Sequence, residues 1–167
     1  MTTRYHLAQL NIGRVLAPLD SPQLAGFVAR LADINALADT APGFVWRLAT
    51  EDGDATAVRP YADDQILINM SVWESLEALR AFVYRSGHVE VMRQRRAWFE
   101  LLAEAYLVLW WVPAGHRPAV EEAKERLEHL RQHGESAHAF SFQRPFPAPD
   151  ASPEETPRPS ADQCPAT

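Results

Sequence analysis

The sequence predicts an α+β domain in which an antiparallel sheet carries helices on one face. Two observations predict it: β-rich stretches alternate with helical periodicities along the chain, and no internal repeat or second domain is visible. A length of 167 residues with 47% hydrophobic content suits one core. Residues 1–146 are therefore expected to form a single domain, and the proline-rich, acidic residues 147–167 a disordered tail.

The first half of the chain alternates between strands and one long helix. Ser21-Pro22 marks the start of that helix, because serine caps free amides and proline suits the first helical position. Pro42-Gly43 ends it. The apolar side of the helix comprises Leu24, Phe27, Val28, Leu31, Ile34 and Leu37. The other predicted elements are strands at Tyr5 to Val15, Phe44 to Leu48 and Gln65 to Trp73, and a polar loop from Glu51 to Asp64.

The second half is richer in helix. Ser75 is expected to cap a helix that continues to Val83, and Gly134 to end the last helix. The last helix has a charged face and an apolar stripe of Val120, Ala123, Leu127 and Leu130. The predicted elements are helices at Ser75 to Val83, His88 to Leu102 and Pro118 to Gln132, a strand at Tyr106 to Val112, and a short closing strand at Ala139 to Phe142.

This order of elements is the split β-α-β pattern of a ferredoxin-like fold, with one extra helix before the fourth strand. Helices would cover one face of such a sheet, and a second subunit is expected to cover the other. Trp110 and Trp111 point to opposite faces of their strand, so one indole would lie on the uncovered face. The sequence therefore predicts a homodimer through the open sheet face. The alternative is burial of both indoles under the C-terminal helix.

Several classes of function are excluded by composition. The net charge of −6, without a basic block, argues against nucleic-acid binding. There is no apolar run of membrane-spanning length and no signal-peptide core, so a cytoplasmic location is expected. Cys164 is the only cysteine, which rules out an intrachain disulfide. His129 and His133 are four residues apart on a helix, but no third ligand accompanies them, and no metal site is predicted.

Four stretches carry a resemblance to a known family. They are Tyr5 to Asn11, Trp73 to Leu79, His88 to Phe99 and Leu109 to His116. Together they resemble the bacterial domain of unknown function 3291, which belongs to the dimeric α+β barrel group. The resemblance covers about Tyr5 to Phe146. It implies a dimeric barrel and says nothing about chemistry.

A more distant resemblance concerns possible function. The chain has a tryptophan that ends a strand, a Ser-x-Glu-Ala-Leu helix start and a following serine–histidine pair, and in this it is similar to antibiotic-biosynthesis monooxygenases. Haem-degrading relatives share the layout. In those relatives an asparagine, a tryptophan and a histidine surround the pocket, and the corresponding residues here are Asn11, Trp73 and His88.

Candidate site residues come from the helix predicted after Gly87. His88, Met92, Arg95 and Phe99 share one helical face, where His88 could act as a base or ligate haem iron. Arg95 or Arg96 could hold a substrate carboxylate, an enolate or a haem propionate. The alternatives are a structural hydrogen bond for His88 and an ion pair with Glu90 or Glu100 for the arginines.

Further candidates are polar or aromatic side chains elsewhere in the chain. Asn69 and Ser71 share a strand face, and they would either orient a substrate or pair across a dimer contact. Trp98 and Trp73 could stack on a flat ligand, and Tyr84 could donate to an oxyanion, although core packing is the alternative for each.

The sequence leads to one main hypothesis and two alternatives. The main hypothesis is an enzyme of the antibiotic-biosynthesis-monooxygenase type. It would act on an aromatic or polyketide-like small molecule without an organic cofactor. The alternatives are a haem protein with His88 as the axial ligand, and a ligand-binding module without catalysis.

Overall fold

The computed structural model describes residues 2–51, 53–56, 58–85 and 93–152. Within these ranges the fold is a four-stranded antiparallel sheet with helices on both faces. The strands are β1 (Tyr5–Arg14), β2 (Phe44–Arg47), β3 (Ile66–Trp73) and β4 (Leu107–Pro113). The helices are α1 (Ala25–Asp39), α2 (Leu76–Arg85), α3 (Arg95–Trp98) and α4 (Val120–His133), with a 3₁₀ turn at Pro22–Leu24 before α1.

The strand order β2-β3-β1-β4 is that of a ferredoxin-like sheet, so the predicted fold class is confirmed. β1 lies in the centre and pairs with β3 on one side and β4 on the other. Its register places Asn11 opposite Asn69, and Gln9 opposite both Ser71 and Leu109. Since side chains alternate along a strand, these residues all point to the same side of the sheet.

One side of the sheet, here called the α4 face, has an apolar centre. Trp110, Met70 and Leu10 are at most 1% exposed there, and they pack against Ala123, Leu127 and Leu130 of α4. This part of the apolar stripe predicted for the last helix is confirmed. The Nε1 of Trp110 donates to Glu122 at 3.1 Å, so the indole is satisfied as well as buried.

The α4 face also corrects the argument for a dimer. An uncovered sheet face was expected, but helix α4 of the same chain buries it. The reason is that α4 follows β4 after a short turn and folds back over it, which a helix with an apolar stripe does readily. The premise of an open face is therefore wrong, and the homodimer itself stays a prediction. Trp110 and Trp111 do point to opposite faces, as predicted.

The other side, here called the cavity face, is covered by α1, α2 and α3. At one end Trp73 and Leu7 pack with Leu76 and Leu79 of α2. At the other end Leu67 packs with Trp98 of α3. Between these two apolar clusters lies the polar row of Gln9, Asn11, Asn69 and Ser71.

Three predicted elements differ from the structure. The predicted helix over 88–102 ends at Trp98 in the described part, because Phe99 bridges to Val15 and Glu100 N–H donates to the Arg14 carbonyl. The predicted strand at Ala139–Phe142 is a single bridge between Phe140 and Leu109.

The third difference concerns α1, whose apolar side is only partly covered. Val28 and Leu37 remain 44% and 42% exposed, whereas Leu24 is buried. The Ser21 hydroxyl donates to the Pro18 carbonyl instead of capping the helix.

Among the described residues, no helix is long and apolar enough to cross a membrane. The predicted start of α2 and the predicted end of α4 are both confirmed. Ser75 caps α2 through a hydrogen bond from the Ala78 N–H at 3.1 Å, and Gly134 ends α4 with φ of 74°. Near the predicted domain boundary, the Trp111 indole donates to the Phe146 carbonyl and the Tyr5 N–H to Asp150. Residues 153–167, with Cys164, lie outside the described ranges.

Candidate functional site

A cavity of about 130 Å³ lies between the sheet and α1 on the cavity face. Its floor is the polar row of β1 and β3, where Asn11 and Asn69 face each other. Side chains of α1 and the aromatic residues Trp98 and Phe99 form its walls. For comparison, an engineered apolar cavity of about 150 Å³ in another protein holds benzene. The space bounded by the described residues therefore matches one aromatic ring.

Arg95 is the most unusual charge in the wall of this cavity. Its guanidinium donates to the Ile12 carbonyl at 3.3 Å and lies over the rings of Tyr106 and Phe99, at 4.8 and 5.4 Å from their centroids. Among the described residues no carboxylate pairs with it. Glu100, one of its two predicted partners, binds Arg14 at 2.6 Å, and the other, Glu90, lies outside the described residues. Burial lowers the pKa of Arg95 from its ordinary value.

The consequence is a partly desolvated cation, which the aromatic faces stabilise only in part. An anionic oxygen placed beside the guanidinium would restore the electrostatic balance, and a guanidinium can offer two parallel N–H donors to it. Arg95 is thus the residue of the cavity best suited to bind an anion.

The aromatic wall is built around a close backbone approach. The ring of Phe99 packs on Gly13 of β1 so tightly that a Cβ at that glycine would lie 2.6 Å from Phe99 Cδ1. Phe27 of α1 touches both neighbours, tilted against Trp98 at 5.6 Å and edge-on to Phe99 at 5.1 Å. These rings hold one another and give the cavity a flat side suited to a planar ligand.

The polar floor is ordered by a buried hydrogen-bond chain. The Trp73 indole donates to Ser71 Oγ at 2.8 Å, and the Gln9 amide donates to Ser71 Oγ at 2.9 Å and to Asn69 Oδ1 at 2.7 Å. Gln9 and Ser71 are each only 6% exposed. The chain satisfies these groups and fixes the Asn69 oxygen, so that its amide N–H groups remain available for other partners.

The structure thus brings together Asn11, Asn69, Arg95, Trp98 and Phe99, which were predicted site residues, around one cavity. Ser71 and Trp73 do not line it. They lie beneath and beside the floor, where Trp73 stacks on Phe82 of α2 at 5.1 Å.

Two other predicted residues point away from the cavity. Arg96 is exposed on α3, since successive residues of a helix point in different directions, and Tyr84 is 56% exposed and meets Phe142 edge-on. His88 and Met92 lie outside the described residues.

Four polar residues of the cavity were missed from the sequence: Asn35, Arg47, Asp54 and Thr56. Arg47 lies just before the loop that was predicted from Glu51 to Asp64, and Asp54 and Thr56 lie on it. The polar, acidic composition of this loop does not indicate which of its residues turns inward. Arg47 is bound to Asp39 through both carboxylate oxygens, at 2.7 and 3.2 Å, so its charge is already compensated.

The histidines form a separate cluster at the end of α4. His129 lies 4.6 Å from both His133 and His138, measured between ring centroids. Burial, followed by the charges of His138 and His133, lowers the pKa of His129. In the described part of the chain no three histidine, cysteine, aspartate or glutamate side chains are arranged to hold a metal ion.

Fold and site together define a ferredoxin-like α+β domain with a ring-sized cavity. The sequence profile described as "Domain of unknown function (DUF3291)" matches residues 6–156, and the chain belongs to that family. No curated protein sequence matches it.

Several solved structures share the general fold. A cofactor-independent oxygenase, SnoaB of Streptomyces nogalater, is 19% identical, with 69% of this chain and 96% of that chain covered and a TM-score of 0.44. A protein of unknown function from Nitrosomonas europaea is 14% identical, with 71% and 99% covered and a TM-score of 0.45. Similarity this distant carries no chemistry to this chain.

Proposed function

We propose that this protein is a small-molecule enzyme that binds an aromatic or polyketide-like substrate in the cavity between the sheet and α1, and that it needs no organic cofactor. The observation that carries the proposal is Arg95: a half-buried guanidinium without a carboxylate partner among the described residues, placed in an aromatic, ring-sized cavity. Small-molecule binding sites typically combine apolar and aromatic walls with a few converging polar groups.

The chemistry follows from the charge of the bound molecule. Arg95 favours the ionised form of a phenol or enol, since a nearby cation lowers the free energy of the anion in a desolvated site. An electron-rich anion of this kind can itself react with oxygen or rearrange. Asn11 and Asn69 would orient the polar groups of the ring, and Trp98 and Phe99 would hold its plane.

Haem is not supported by the described cavity. No histidine, the usual axial ligand of haem, lines the cavity among the described residues. His88, which the family resemblance suggests as the iron ligand, lies outside the described residues. The proposed chemistry therefore includes no haem.

The proposal is tested by oxygen uptake and calorimetry with two probes that have one ring each: phloroglucinol, a simple phenol, and 2,4,6-trihydroxyacetophenone, an acylphenol of the polyketide type. We expect saturable binding and oxygen uptake with at least one probe. Arg95→Met should lower uptake by about a hundred-fold, the usual scale for removing one group that stabilises the developing charge. Arg96→Met is the matched control and should leave uptake unchanged, because Arg96 is exposed.

The possible outcomes separate the candidate functions. Binding without uptake would make the protein a ligand-binding module and would overturn the enzymatic proposal. The absence of binding by either probe, or equal losses in Arg95→Met and Arg96→Met, would overturn the proposed site.

A further inference from the structure

Gln9 is a buried amide that belongs to the polar row of the cavity face but does not line the cavity itself. It is 6% exposed in the middle of β1, where its neighbours along the strand are apolar and buried. Its Nε2 donates to Asn69 Oδ1 at 2.7 Å and to Ser71 Oγ at 2.9 Å. A buried amide costs free energy unless it is hydrogen-bonded, so these two bonds are what make glutamine acceptable at this position.

The hydrogen-bond chain determines which end of the Gln9 amide faces Asn69. Trp73 Nε1, which can only donate, places its hydrogen on Ser71 Oγ at 2.8 Å. The same hydroxyl oxygen accepts from Gln9 Nε2, so both of its lone pairs are occupied. The NH₂ group of Gln9 therefore faces Ser71 and Asn69 at once, and the Asn69 oxygen is its acceptor.

Asn69 connects this chain to the cavity. Its side chain is exposed and lines the cavity, whereas Gln9 and Ser71 do not line it. The carboxamide oxygen of Asn69 is committed to Gln9, and among the described residues no hydrogen bond uses the carboxamide nitrogen. The end of the Asn69 carboxamide that is left for a ligand is therefore the NH₂ group, which donates and does not accept.

Arg95 supplies a second donor near Asn69. Its guanidinium donates to the carbonyl of Ile12, and Ile12 follows Asn11, the residue directly opposite Asn69. The backbone positions that anchor the two donors are thus about 5 Å apart, which is one inter-strand spacing. Two groups in a 1,3 arrangement on one ring are separated by a similar distance. A single bound ring can therefore place one oxygen at each donor.

The negative charge of the cavity wall lies elsewhere. Asp54 is the only acidic residue among the described residues that line the cavity. Its backbone carbonyl accepts from the Thr50 N–H at 2.8 Å, and its Oδ1 accepts from the N–H and the hydroxyl of Thr56 at 2.8 and 2.6 Å. These contacts hold Asp54 in the loop after β2, and β3 separates β2 from β1. The carboxylate thus lies toward β2, whereas the two donors lie toward β3 and β1.

We propose that Gln9 is a positioning residue that makes the cavity floor select hydrogen-bond acceptors, and that the substrate ring carries an anionic oxygen for Arg95 and a carbonyl oxygen for Asn69. The inference rests on the proposed function, and it adds a specificity-determining residue and a narrower substrate class. Gln9 acts through Asn69, whose oxygen it holds away from the ligand. A ring with a donor at this position would place two N–H groups against each other and bind less tightly.

The test compares two one-ring anions that differ in the group offered to Asn69. In 3-acetylbenzoate this group is a carbonyl, which accepts, and in 3-aminobenzoate it is an amino group, which mainly donates. Both probes carry the same carboxylate for Arg95. Calorimetry on the full-length protein gives the two dissociation constants. We expect the wild type to bind 3-acetylbenzoate about five- to ten-fold more tightly, which corresponds to one hydrogen bond.

The first variant, Gln9→Met, keeps the length of the side chain and removes both hydrogen bonds. The Asn69 carboxamide can then turn over and accept from 3-aminobenzoate. The preference for 3-acetylbenzoate should fall by about three-fold or more. Gln132→Met is the matched control, because Gln132 is exposed on α4 and bonds only Glu128 among the described residues. It should leave both dissociation constants unchanged.

The second variant, Gln9→Glu, turns the preference into a function of pH. The protonated carboxyl can still donate to Asn69 Oδ1, whereas the carboxylate can only accept, and it would turn the Asn69 oxygen toward the ligand. Calorimetry from about pH 5 to pH 9 covers the titration of a glutamate whose pKa is raised by burial. The preference should match the wild type at low pH and shift toward 3-aminobenzoate as the new carboxyl ionises.

Arg95→Met separates charge from orientation. Both probes carry a carboxylate, so this variant should weaken the binding of both by a similar factor and leave the preference between them unchanged. Circular dichroism and thermal unfolding establish that each variant is folded.

The outcomes distinguish this inference from the proposed function. A wild-type preference that persists in Gln9→Met overturns the role of Gln9. An equal loss of affinity for both probes in that variant also overturns it, because a purely structural role would produce this result. Oxygen uptake with phloroglucinol alongside either result leaves the proposed function standing. A preference that changes as expected in a protein without oxygen uptake supports Gln9 and overturns the oxygen chemistry.

Discussion

The two faces of the sheet are built from the same four strands but differ in what they carry: one holds an apolar core and the other a row of polar side chains. On the α4 face every strand contributes apolar side chains, and the apolar stripe of α4 packs over them. On the cavity face the strands place Gln9, Asn11, Asn69 and Ser71 between two apolar clusters, and a cavity lies above them. The comparison teaches that stability resides mainly in one face and binding capacity in the other.

The largest effect is expected from breaking the α4 face. Leu127 is 1% exposed and packs into that core, so Leu127→Ala should lower the free energy of unfolding by about 2–5 kcal/mol. Asn69→Ala, on the cavity face, is the contrasting variant and should cost only about 0.5–1.5 kcal/mol, because Asn69 is exposed and only its hydrogen bond from Gln9 is lost. Urea unfolding followed by circular dichroism measures both. Similar losses of unfolding free energy in the two variants would contradict the conclusion that stability resides mainly in the α4 face.

A smaller effect is expected at the aromatic wall of the cavity. Gly13→Ala would place a methyl group against the Phe99 ring, so the ring must move, at a cost of about 1–3 kcal/mol. Binding of ring-shaped probes should weaken with it. Gly26→Ala is the matched control, because its Cβ would lie 3.4 Å from Trp98 and alanine favours a helix by about 0.5–1 kcal/mol over glycine. If Gly13→Ala binds the ring-shaped probes and unfolds like the wild type, the Phe99 ring does not have a fixed position in the wall of the cavity.

The smallest effect on stability is expected from the partly exposed ion pair between Arg14 of β1 and Asp63 in the loop before β3. A hydrogen bond from Arg14 holds the pKa of Asp63 below its ordinary value. The stabilisation is therefore complete above the unfolded pKa of about 3.9, and it is lost as the pH falls through the lower folded pKa. The melting temperature of the wild type should drop more steeply below about pH 4 than that of Asp63→Asn. Asp20→Asn serves as the control, and parallel curves for all three proteins would contradict the role of Asp63.

Much of the cavity could be predicted because its residues break local rules. Asn11 and Asn69 are polar side chains on strands, and a face of the arginine-rich segment had to point inward, as Arg95 does. Asp54 could not be found in this way, since a carboxylate in a polar loop breaks no rule and only the anchoring by Thr50 and Thr56 turns it inward.

The errors have a common physical cause. The periodicity after Gly87 continues to Leu102, yet the chain leaves the helix after Trp98 because Phe99 and Glu100 bond to the end of β1. The apolar strand residues of the α4 face pointed to a missing cover, but local pattern could not reveal that α4 of the same chain supplies it. In both cases long-range contacts decided what local propensity left open.

The bridge at Phe140 has a consequence for the behaviour of the protein at high concentration. The N–H and carbonyl of Leu109 on the outer side of β4 are both bonded to Phe140, at 2.7 and 2.9 Å. The edge strand on the opposite side of the sheet is β2, which is only four residues long. An exposed edge strand is a template for pairing with other chains, and a short or covered edge strand resists such pairing. Both features reduce the backbone that this sheet offers for pairing with other copies of the protein.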